Sequence, residues 1–219
     1  MRICLLKIDS KLLSPEYFES ATDALPFGEA EKKRLKAIKN KNAACQSLCA
    51  RIALARLCGG SVHATIEKDE NGKPYFSAVD APHFSISHSR DIVGAALADA
   101  CDGRIGIDVE PINTDRNVLS IAERFFSHDE LSRFKACGGT PDAFYSFWTE
   151  KEARAKLFGD GLGFELSGNA RSEKIYYYKY SIRIGNARAI LCAASEHRAE
   201  KINFIDLKDK DIDIYELQN

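Results

Sequence analysis

Two carboxylates separated by one residue stand in the segment Ile105 to Pro111, which reads IGIDVEP. Its β-branched residues fall at every second position, so the segment predicts a short strand with one apolar face. Asp108 and Glu110 then share the other face with Gly106. Carboxylate oxygens suit Mg²⁺, which proteins usually hold with one or two carboxylates and the phosphate oxygens of a substrate. Taken alone, the pair indicates either such a site or a solvated strand face, the commoner use of exposed carboxylates.

Gly106 of this strand supports the same interpretation. Both glycine and aspartate are disfavoured in strands, so their presence beside a strongly apolar face indicates that another group approaches closely. A magnesium ion carrying a phosphate fits that description. We therefore expect a ligand to lie against the face that carries Gly106 and Asp108.

About forty residues later the segment FWTEKEARAKLFG predicts a helix that is entered through Thr140 as N-cap and Pro141 as first helical residue. Trp148, Glu152 and Lys156 follow one another at intervals of one turn, so they lie along one stripe of that helix. A glutamate and a lysine at this spacing are by themselves typical of a surface ion pair. Only the combination with the acidic strand favours catalysis.

Together, GIDVE and FWTEKEARAK resemble the signature of the 4′-phosphopantetheinyl transferases. The family motifs run Gly-(Ile/Val)-Asp-x-Glu and Trp-(Ser/Thr)-x-Lys-Glu-(Ala/Ser)-x-x-Lys, and every fixed position is matched. The upstream segment HFSISHSRDIVGAAL is similar to the family motif around a Ser-His pair. Chain length and the long N-terminal segment resemble the larger, pseudo-dimeric type (surfactin-synthetase activator, Sfp-like). The half-length holo-acyl-carrier-protein synthases, which form trimers, are less similar.

The resemblance implies a Mg²⁺-dependent transferase of the holo-acyl-carrier-protein synthase class. Such an enzyme moves 4′-phosphopantetheine from coenzyme A to a serine of an apo acyl or peptidyl carrier protein and releases adenosine 3′,5′-bisphosphate. Implied metal ligands are Asp108, Glu110 and Glu152, and implied catalytic residues are Glu152 and Lys156. Whether Glu152 serves as metal ligand, as general base or as both stays open. So does the pathway, whether fatty acid, polyketide or nonribosomal peptide synthesis.

Contacts to coenzyme A are also implied by the resemblance. The residues concerned are Lys32, Lys73, Ser87, His88, Lys151 and Lys156. Each has a plainer interpretation: the basic run around Lys32 is typical of a solvated face, Lys73 follows an Asn-Gly hairpin turn, and His88 stands at a strand end. Gln46 stands where the family leads us to expect a further basic residue, so the 3′-phosphate would depend more on the others.

The resemblance implies an α+β fold of two similar halves related by a pseudo-two-fold axis, each a mainly antiparallel sheet packed on helices. We place the halves at residues 1–104, with the nucleotide contacts, and 105–219, with the magnesium site and catalytic helix. In the sequence, helix followed by strands occurs twice, and IVGAALA near residue 95 is loosely mirrored by AILCAAS near residue 192. A cleft between two such halves is a preferred ligand site.

Local patterns predict the elements that position the site. In the first half we expect a strand at 2–8, a helix opened by Ser14 and Pro15, one or two helices over 29–57, a strand over 62–67, a hairpin turn at Asn71 and Gly72, and strands near 84–86 and 92–97. In the second half we expect a helix through 118–125, a capping box at Ser127 and Glu130, and a glycine-rich exit FGDGLGF after the Glu152 helix. Antiparallel strands over 174–184, 189–194 and 202–207 should follow, with a solvated acidic tail or edge over 206–216.

Composition narrows the function classes. The chain has 219 residues and a formal net charge of −1, which argues against a general nucleic-acid binder. It has no apolar run of membrane-spanning length, and Lys7 and Asp9 interrupt the N-terminus too early for a signal peptide, so we expect a cytoplasmic protein without membrane contacts. We also expect a monomer, in keeping with the resemblance to the pseudo-dimeric type. Its seven scattered cysteines favour neither disulfides nor zinc; those at positions 4, 45, 49 and 192 suit small core residues.

Two other functions fit the same residues. One is a Mg²⁺-dependent nucleotide phosphohydrolase that uses water as nucleophile. The other is a non-catalytic module that binds coenzyme A or a carrier protein. For the carrier, whose modified serine usually begins an acidic helix, we expect an apolar surface formed by Phe125, Phe126 and Leu131, although an apolar helix face is more often core.

Overall fold

The computed structural model describes residues 1–60, 65–159, 173–205 and 212–217. Its α-helices are α1 Pro15–Asp23, α2 Glu29–Lys36, α3 Lys41–Leu57, α4 Val118–Phe125, α5 His128–Ala136 and α6 Pro141–Phe158. Its strands are β1 Arg2–Lys7, β2 Ile66–Lys68, β3 Pro74–Phe76, β4 His83–Ser89, β5 Ile92–Ala98, β6 Ile105–Pro111, β7 Tyr176–Ile184, β8 Ala187–Ser195, β9 Asn203–Ile205 and β10 Ile212–Glu216.

The strands form two four-stranded sheets and the small hairpin β2–β3. The first sheet has the order β4-β5-β1-β9 and the second the order β10-β7-β8-β6. Neighbouring strands are antiparallel except for β9, which runs parallel to β1. Each sheet has an inner strand that is rich in small, buried side chains: β5 is buried throughout, and β8 is buried after its first two residues.

The two sheets pack face to face, with one long helix on the outside of each. Apolar side chains from β1 and β5 meet those of β6, β7 and β8 in the shared core, whose members include Ile3, Leu5, Ile107, Val109 and Leu191. Because side chains alternate along a strand, the opposite faces of the same strands carry the residues that meet α3 and α6. The result is a four-layer arrangement of helix, sheet, sheet and helix.

The two halves repeat one order of elements. In the first half β1, α3, β4 and β5 give the sheet order β4-β5-β1, and in the second β6, α6, β7 and β8 give β7-β8-β6. This confirms the predicted α+β fold with two similar halves. The division at residue 104 stays an interpretation: the chain passes from one sheet to the other between β5 and β6, while β9 returns to the first sheet.

Most of the predicted local elements appear where capping chemistry placed them. Pro15 and Pro141 each occupy the first turn of a helix, and the Thr140 hydroxyl accepts the N–H of Ala143. Ser127 and Glu130 form the reciprocal capping box that begins α5. The expected helical stretch over 29–57 divides into two helices at Ile38–Asn40, and Asn40 caps the second.

Four predictions lie partly outside the described residues: the strand start at 62–64, the glycine-rich exit beyond Gly159, the end of the strand over 202–207, and residues 206–211 of the acidic end. Of the acidic end, residues 212–216 form β10, an edge strand beside β7, as one of the two expected alternatives. The buried cysteines are the four predicted core residues. No helix in the described ranges combines the length and the apolar character needed to cross a membrane.

Candidate active site

The close approach predicted at Gly106 is made by the backbone of α6. A Cβ atom built on this glycine would lie 2.5 Å from the Leu157 N atom, and closer still to the carbonyl oxygen of Ala153. A ligand was the predicted partner, so that part of the expectation is wrong. The physical reason is that only a residue without a side chain lets helix and strand backbones touch, and this contact fixes α6 across β6.

Two features of the sequence hold α6 in this position. Ala153 and Leu157 face the sheet and pack against Cys192 and Ala194 of β8. Gly159 then adopts the left-handed conformation, with a φ of 77°, that ends a helix. Lys156 of this helix reaches Asp108 of β6, and Glu152 lies near enough to Asp108 and Glu110 for their charges to act on it.

Asp108 is the most buried acid of the site, with 2 % of its surface exposed. Its Oδ1 atom accepts hydrogen bonds from the Ser87 hydroxyl at 2.7 Å and from the Lys156 ammonium at 2.7 Å. Lys156 also donates to the Ser87 oxygen at 2.9 Å. The Oδ2 atom of Asp108 is buried and has no hydrogen-bond partner among the described residues. A buried carboxylate oxygen without a partner is costly unless some further group binds it.

Three carboxylates influence one another in this region. Burial, followed by the negative charges of Asp108 and Glu110, raises the pKa of Glu152 to about 7, while Lys156 opposes the shift. Burial and the charge of Asp108 also raise the pKa of Glu110, against a hydrogen bond from Ser89. Carboxylates that disfavour one another's ionisation form a region where a cation is stabilised.

A divalent ion fits this donor set chemically. Carboxylate oxygens are the ligands of Mg²⁺, and the unpartnered Oδ2 atom of Asp108 offers one. Across the described part of the chain, however, no three histidine, cysteine or acidic side chains are already spaced to hold an ion. Asp108, Glu110 and Glu152 are among the residues without that spacing, so their joint binding of Mg²⁺ stays a prediction. Proteins usually hold this ion with only one or two carboxylates, and substrate oxygens complete its shell.

Comparison with known proteins agrees with this geometry. The 4′-phosphopantetheinyl transferase superfamily model matches residues 104–196, which include β6, α6 and β8. The chain is similar to members of this superfamily over that segment. It contains two similar halves in one polypeptide, and its similarity to Bacillus transferases supports the larger, Sfp-like type of the family.

The similarity to individual relatives is partial. The 4′-phosphopantetheinyl transferase psf-1 of Bacillus pumilus is 41% identical over 103 residues, which cover 46% of this chain and 42% of the relative. The 4′-phosphopantetheinyl transferase of Bacillus subtilis is 40% identical over 100 residues, 44% of this chain and 42% of the relative. The 4′-phosphopantetheinyl transferase AcpT of Salmonella typhi is 38% identical over 94 residues, which cover 41% of this chain and 47% of the relative. The chain thus spans less than half the length of these curated relatives.

The Ser-His pair of β4 divides between interior and surface. Ser87 is buried, and its hydroxyl is engaged by Asp108, Lys156 and the N–H of Val109. His88 points to the other face of β4 and is exposed. Desolvation, followed by the positive charge of Lys156, lowers the pKa of His88. His88 is thus placed for a ligand from solvent, whereas Ser87 organises the acidic residues; their predicted contacts with coenzyme A stay predictions.

Lys73 connects the β2–β3 hairpin to the end of α6. Its ammonium donates to the Leu157 carbonyl at 2.7 Å, at the end of α6, and approaches the Ile105 carbonyl at 3.5 Å. Burial, followed by the charge of Arg104, lowers its pKa to about 8. The residue also lines a cleft of about 550 Å³ beside Phe84. Its predicted role near the nucleotide is compatible with that cleft and is not tested by these contacts.

The remaining predicted phosphate contacts have protein partners. Lys32 donates to the Asp23 carbonyl at 2.9 Å, at the end of α1, and pairs with Glu29 at 3.4 Å. Lys151 is buried and donates to both carboxylate oxygens of Glu130, at 2.9 and 2.8 Å. Lys151 therefore fastens α5 to α6 in this arrangement. Phosphate binding by either lysine stays a prediction.

Two residues of the site were not found from the sequence. Ser89 donates to the Oε2 atom of Glu110 at 2.7 Å, and the charge of Arg116 favours the ionised form of the same carboxylate. The signal for Ser89 is present in the alternation of Ser85, Ser87 and Ser89, which places three hydroxyls on one face of a strand. Nothing in the local sequence marks Arg116.

Proposed function

We propose that this protein transfers the 4′-phosphopantetheine group of coenzyme A to a serine of an acyl or peptidyl carrier protein. The observation that carries the proposal is the placement of Glu152 and Lys156 over Asp108 and Glu110 by the glycine contact between α6 and β6. These four residues fall inside the segment that matches the transferase superfamily.

In the proposed reaction the serine hydroxyl of the carrier attacks the β-phosphorus of coenzyme A. A bond forms between the serine oxygen and phosphorus, and the bond from phosphorus to the oxygen that bridges both phosphates breaks. Adenosine 3′,5′-bisphosphate leaves with the electron pair of that bond. Reactions at phosphorus depend mainly on positioning and on neutralising charge.

We propose that Asp108, Glu110 and Glu152 hold Mg²⁺ when it is bound. The ion would neutralise charge on the pyrophosphate oxygens. The ligand assignment is supported by the unpartnered Oδ2 atom of Asp108 and by the raised pKa values of Glu110 and Glu152, to both of which the charge of Asp108 contributes.

Glu152 and Lys156 supply the protein chemistry. A carboxyl group with a pKa of about 7 accepts a proton near neutral pH, so Glu152 suits a general base for the serine hydroxyl. Metal ligation and base catalysis by this residue remain alternatives. Lys156, whose ammonium already lies among the acidic residues, is placed to stabilise phosphate oxygens and the departing bisphosphate.

The carrier-facing surface is narrower than the sequence implied. Phe126 is 9 % exposed and packs against Phe134 and Phe144, so it belongs to the core. Phe125 lies partly exposed, edge-on to Trp148. Of the three apolar residues expected to contact a carrier, we therefore retain Phe125 and the partly exposed Leu131.

The proposal is tested by mixing the protein with an apo carrier protein, coenzyme A and Mg²⁺ and weighing the carrier by mass spectrometry. A mass increase of one phosphopantetheine is expected. Cleavage of coenzyme A without carrier modification would instead indicate the phosphohydrolase, and binding without either product the non-catalytic module. Asp108→Asn should abolish transfer, whereas Asp213→Asn, an exposed acid on the edge strand β10, should not change it.

A further inference from the structure

Three serines at alternate positions of β4 face the edge of β6. These two strands belong to different sheets, and no backbone ladder joins them. Serine oxygens take its place: Ser85 accepts the N–H of Ile107 at 3.1 Å, and Ser87 accepts that of Val109 at 3.3 Å. An edge strand needs partners for its outward N–H groups, and two of these hydroxyls provide them.

The third serine meets a different situation. Advancing both strands by two residues brings Ser89 opposite Pro111, and proline has no backbone N–H to donate. The repeat of acceptor contacts therefore ends at this position. The Ser89 hydroxyl instead donates to the Oε2 atom of Glu110 at 2.7 Å, as Ser87 donates to Asp108 one step earlier.

This contact restrains a side chain that otherwise has several rotamers. A glutamate on a strand end has three rotatable bonds, and holding it in one orientation costs conformational entropy. A short hydrogen bond to one carboxylate oxygen offsets that cost and leaves the other oxygen, Oε1, for a different partner. Hydrogen bonds of this kind to a metal-binding carboxylate typically affect metal affinity by about 10–100-fold.

We propose that Ser89 is a positioning residue for the divalent ion, acting by holding the Glu110 carboxylate in its metal-binding orientation. The inference rests on the metal site of the proposed function. It assigns separate tasks to neighbouring serines of one strand: Ser85 closes the seam between the sheets, Ser87 holds Asp108, and Ser89 holds Glu110.

The test measures metal binding without turnover. Mn²⁺ is titrated into the purified protein, alone and with coenzyme A present, and the free ion is counted by electron paramagnetic resonance against protein-free blanks. Ser89→Ala should weaken Mn²⁺ binding about 10–100-fold with little change in melting temperature. Ser89→Thr, which keeps the hydroxyl, should restore affinity to within about threefold of the wild-type value.

Ser85→Ala is the matched control, because it removes a hydroxyl from the same face of the same strand without touching a carboxylate. It should lower the melting temperature and leave Mn²⁺ affinity unchanged. Wild-type affinity in Ser89→Ala would overturn the role of Ser89 while leaving the metal site standing. Absence of Mn²⁺ binding by the wild-type protein would overturn the metal site itself and this inference with it.

Discussion

Replacement of Gly106 by alanine places a methyl group where the backbone of α6 already lies. The added Cβ would be 2.5 Å from the Leu157 N atom, and ordinary contacts begin near 3.4 Å, so α6 must retreat from β6 by at least about 1 Å. Neither neighbour can relieve the overlap by changing rotamer, because both are backbone atoms. Gly106→Ala should therefore cost about 3 kcal/mol, at the upper end of what overpacking usually costs.

The same displacement moves the side chains that we propose to be catalytic. Glu152 and Lys156 belong to α6, and a misplacement of about 1 Å at a reacting group costs about 10²-fold in rate. We therefore expect the turnover number for carrier modification to fall about 100-fold in Gly106→Ala. The melting temperature should fall by about 6–12 °C for a protein of this size. Turnover is measured by carrier mass below the melting transition, and stability by circular dichroism.

Gly94→Ala is the matched control. Gly94 is likewise a buried strand glycine, in the inner strand β5, but its added Cβ would stand 3.4 to 3.6 Å from the ends of Leu5, Ile107 and Val109, which is ordinary contact. This variant should keep its turnover within a few-fold of the wild-type value. If Gly106→Ala keeps both its turnover and its melting temperature, the helix contact does not position the site and the reasoning is refuted.

Three further changes test other parts of the structure. Lys151→Met should lower the free energy of unfolding, measured by urea titration, by about 2 kcal/mol because it leaves Glu130 unpaired. Its KM for coenzyme A, measured by steady-state kinetics, should stay within about threefold of the wild-type value. Glu31 forms an ion pair with Arg51, so Glu31→Gln should make the free energy of unfolding depend less on pH between pH 3 and 5, as measured by urea titration. Glu29→Gln, an exposed control, should leave that pH dependence unchanged. Lys73→Met, which removes the bond to the end of α6, should lower turnover in the carrier-mass assay.

The sign for Glu31 follows from its partners. Burial alone would raise its pKa, but hydrogen bonds from Arg34 and the charge of Arg51 outweigh burial and hold it below 4.5. The stabilisation is therefore complete above pH 4.5 and is lost as the pH falls through the folded value. An unchanged acid profile in Glu31→Gln would contradict this. A raised KM with unchanged stability in Lys151→Met would instead assign that lysine to phosphate.

The sequence was most informative where a residue type has one dominant use. Thr140 followed by Pro141 begins a helix because the hydroxyl accepts a free N–H and proline lacks one, and no tertiary contact is needed to predict it. Alternation in β6 likewise predicted which face carries Asp108, because period two is a property of the strand itself.

Residues whose role depends on a distant element were less predictable. Gly106 was assigned to a ligand because a close approach was inferred, while the approaching group, the helix backbone, stands about fifty residues away. Lys151 matches a family motif, yet its partner Glu130 becomes adjacent only when α5 packs on α6. A sequence pattern can therefore indicate that a residue is constrained without identifying the group that constrains it.

The first half has no acidic residue at the strand position that corresponds to Asp108 of the second half, and the register of the strands shows which residue stands there instead. In the central strands, Ala95 corresponds to Cys192, and their partners in the neighbouring strands are Cys4 and Asp108. Cys4 lies in the apolar cluster that contains Leu54 of α3. Where the second half carries a buried acid under its helix, the first half has a small apolar side chain, which avoids the cost of a second buried charge.

The edges of the two sheets also show that the two halves differ at the site. The edge of β6 faces β4, and serine hydroxyls join the two strands. At the corresponding second seam, β9 occupies the edge of β1 and β10 occupies the edge of β7. Strand pairing satisfies N–H groups at that second seam, whereas serine hydroxyls take this part at the first seam and also reach the acids there. Each half therefore contributes a different part of one site, with β4 supplying hydroxyls and β6 and α6 supplying the charged groups.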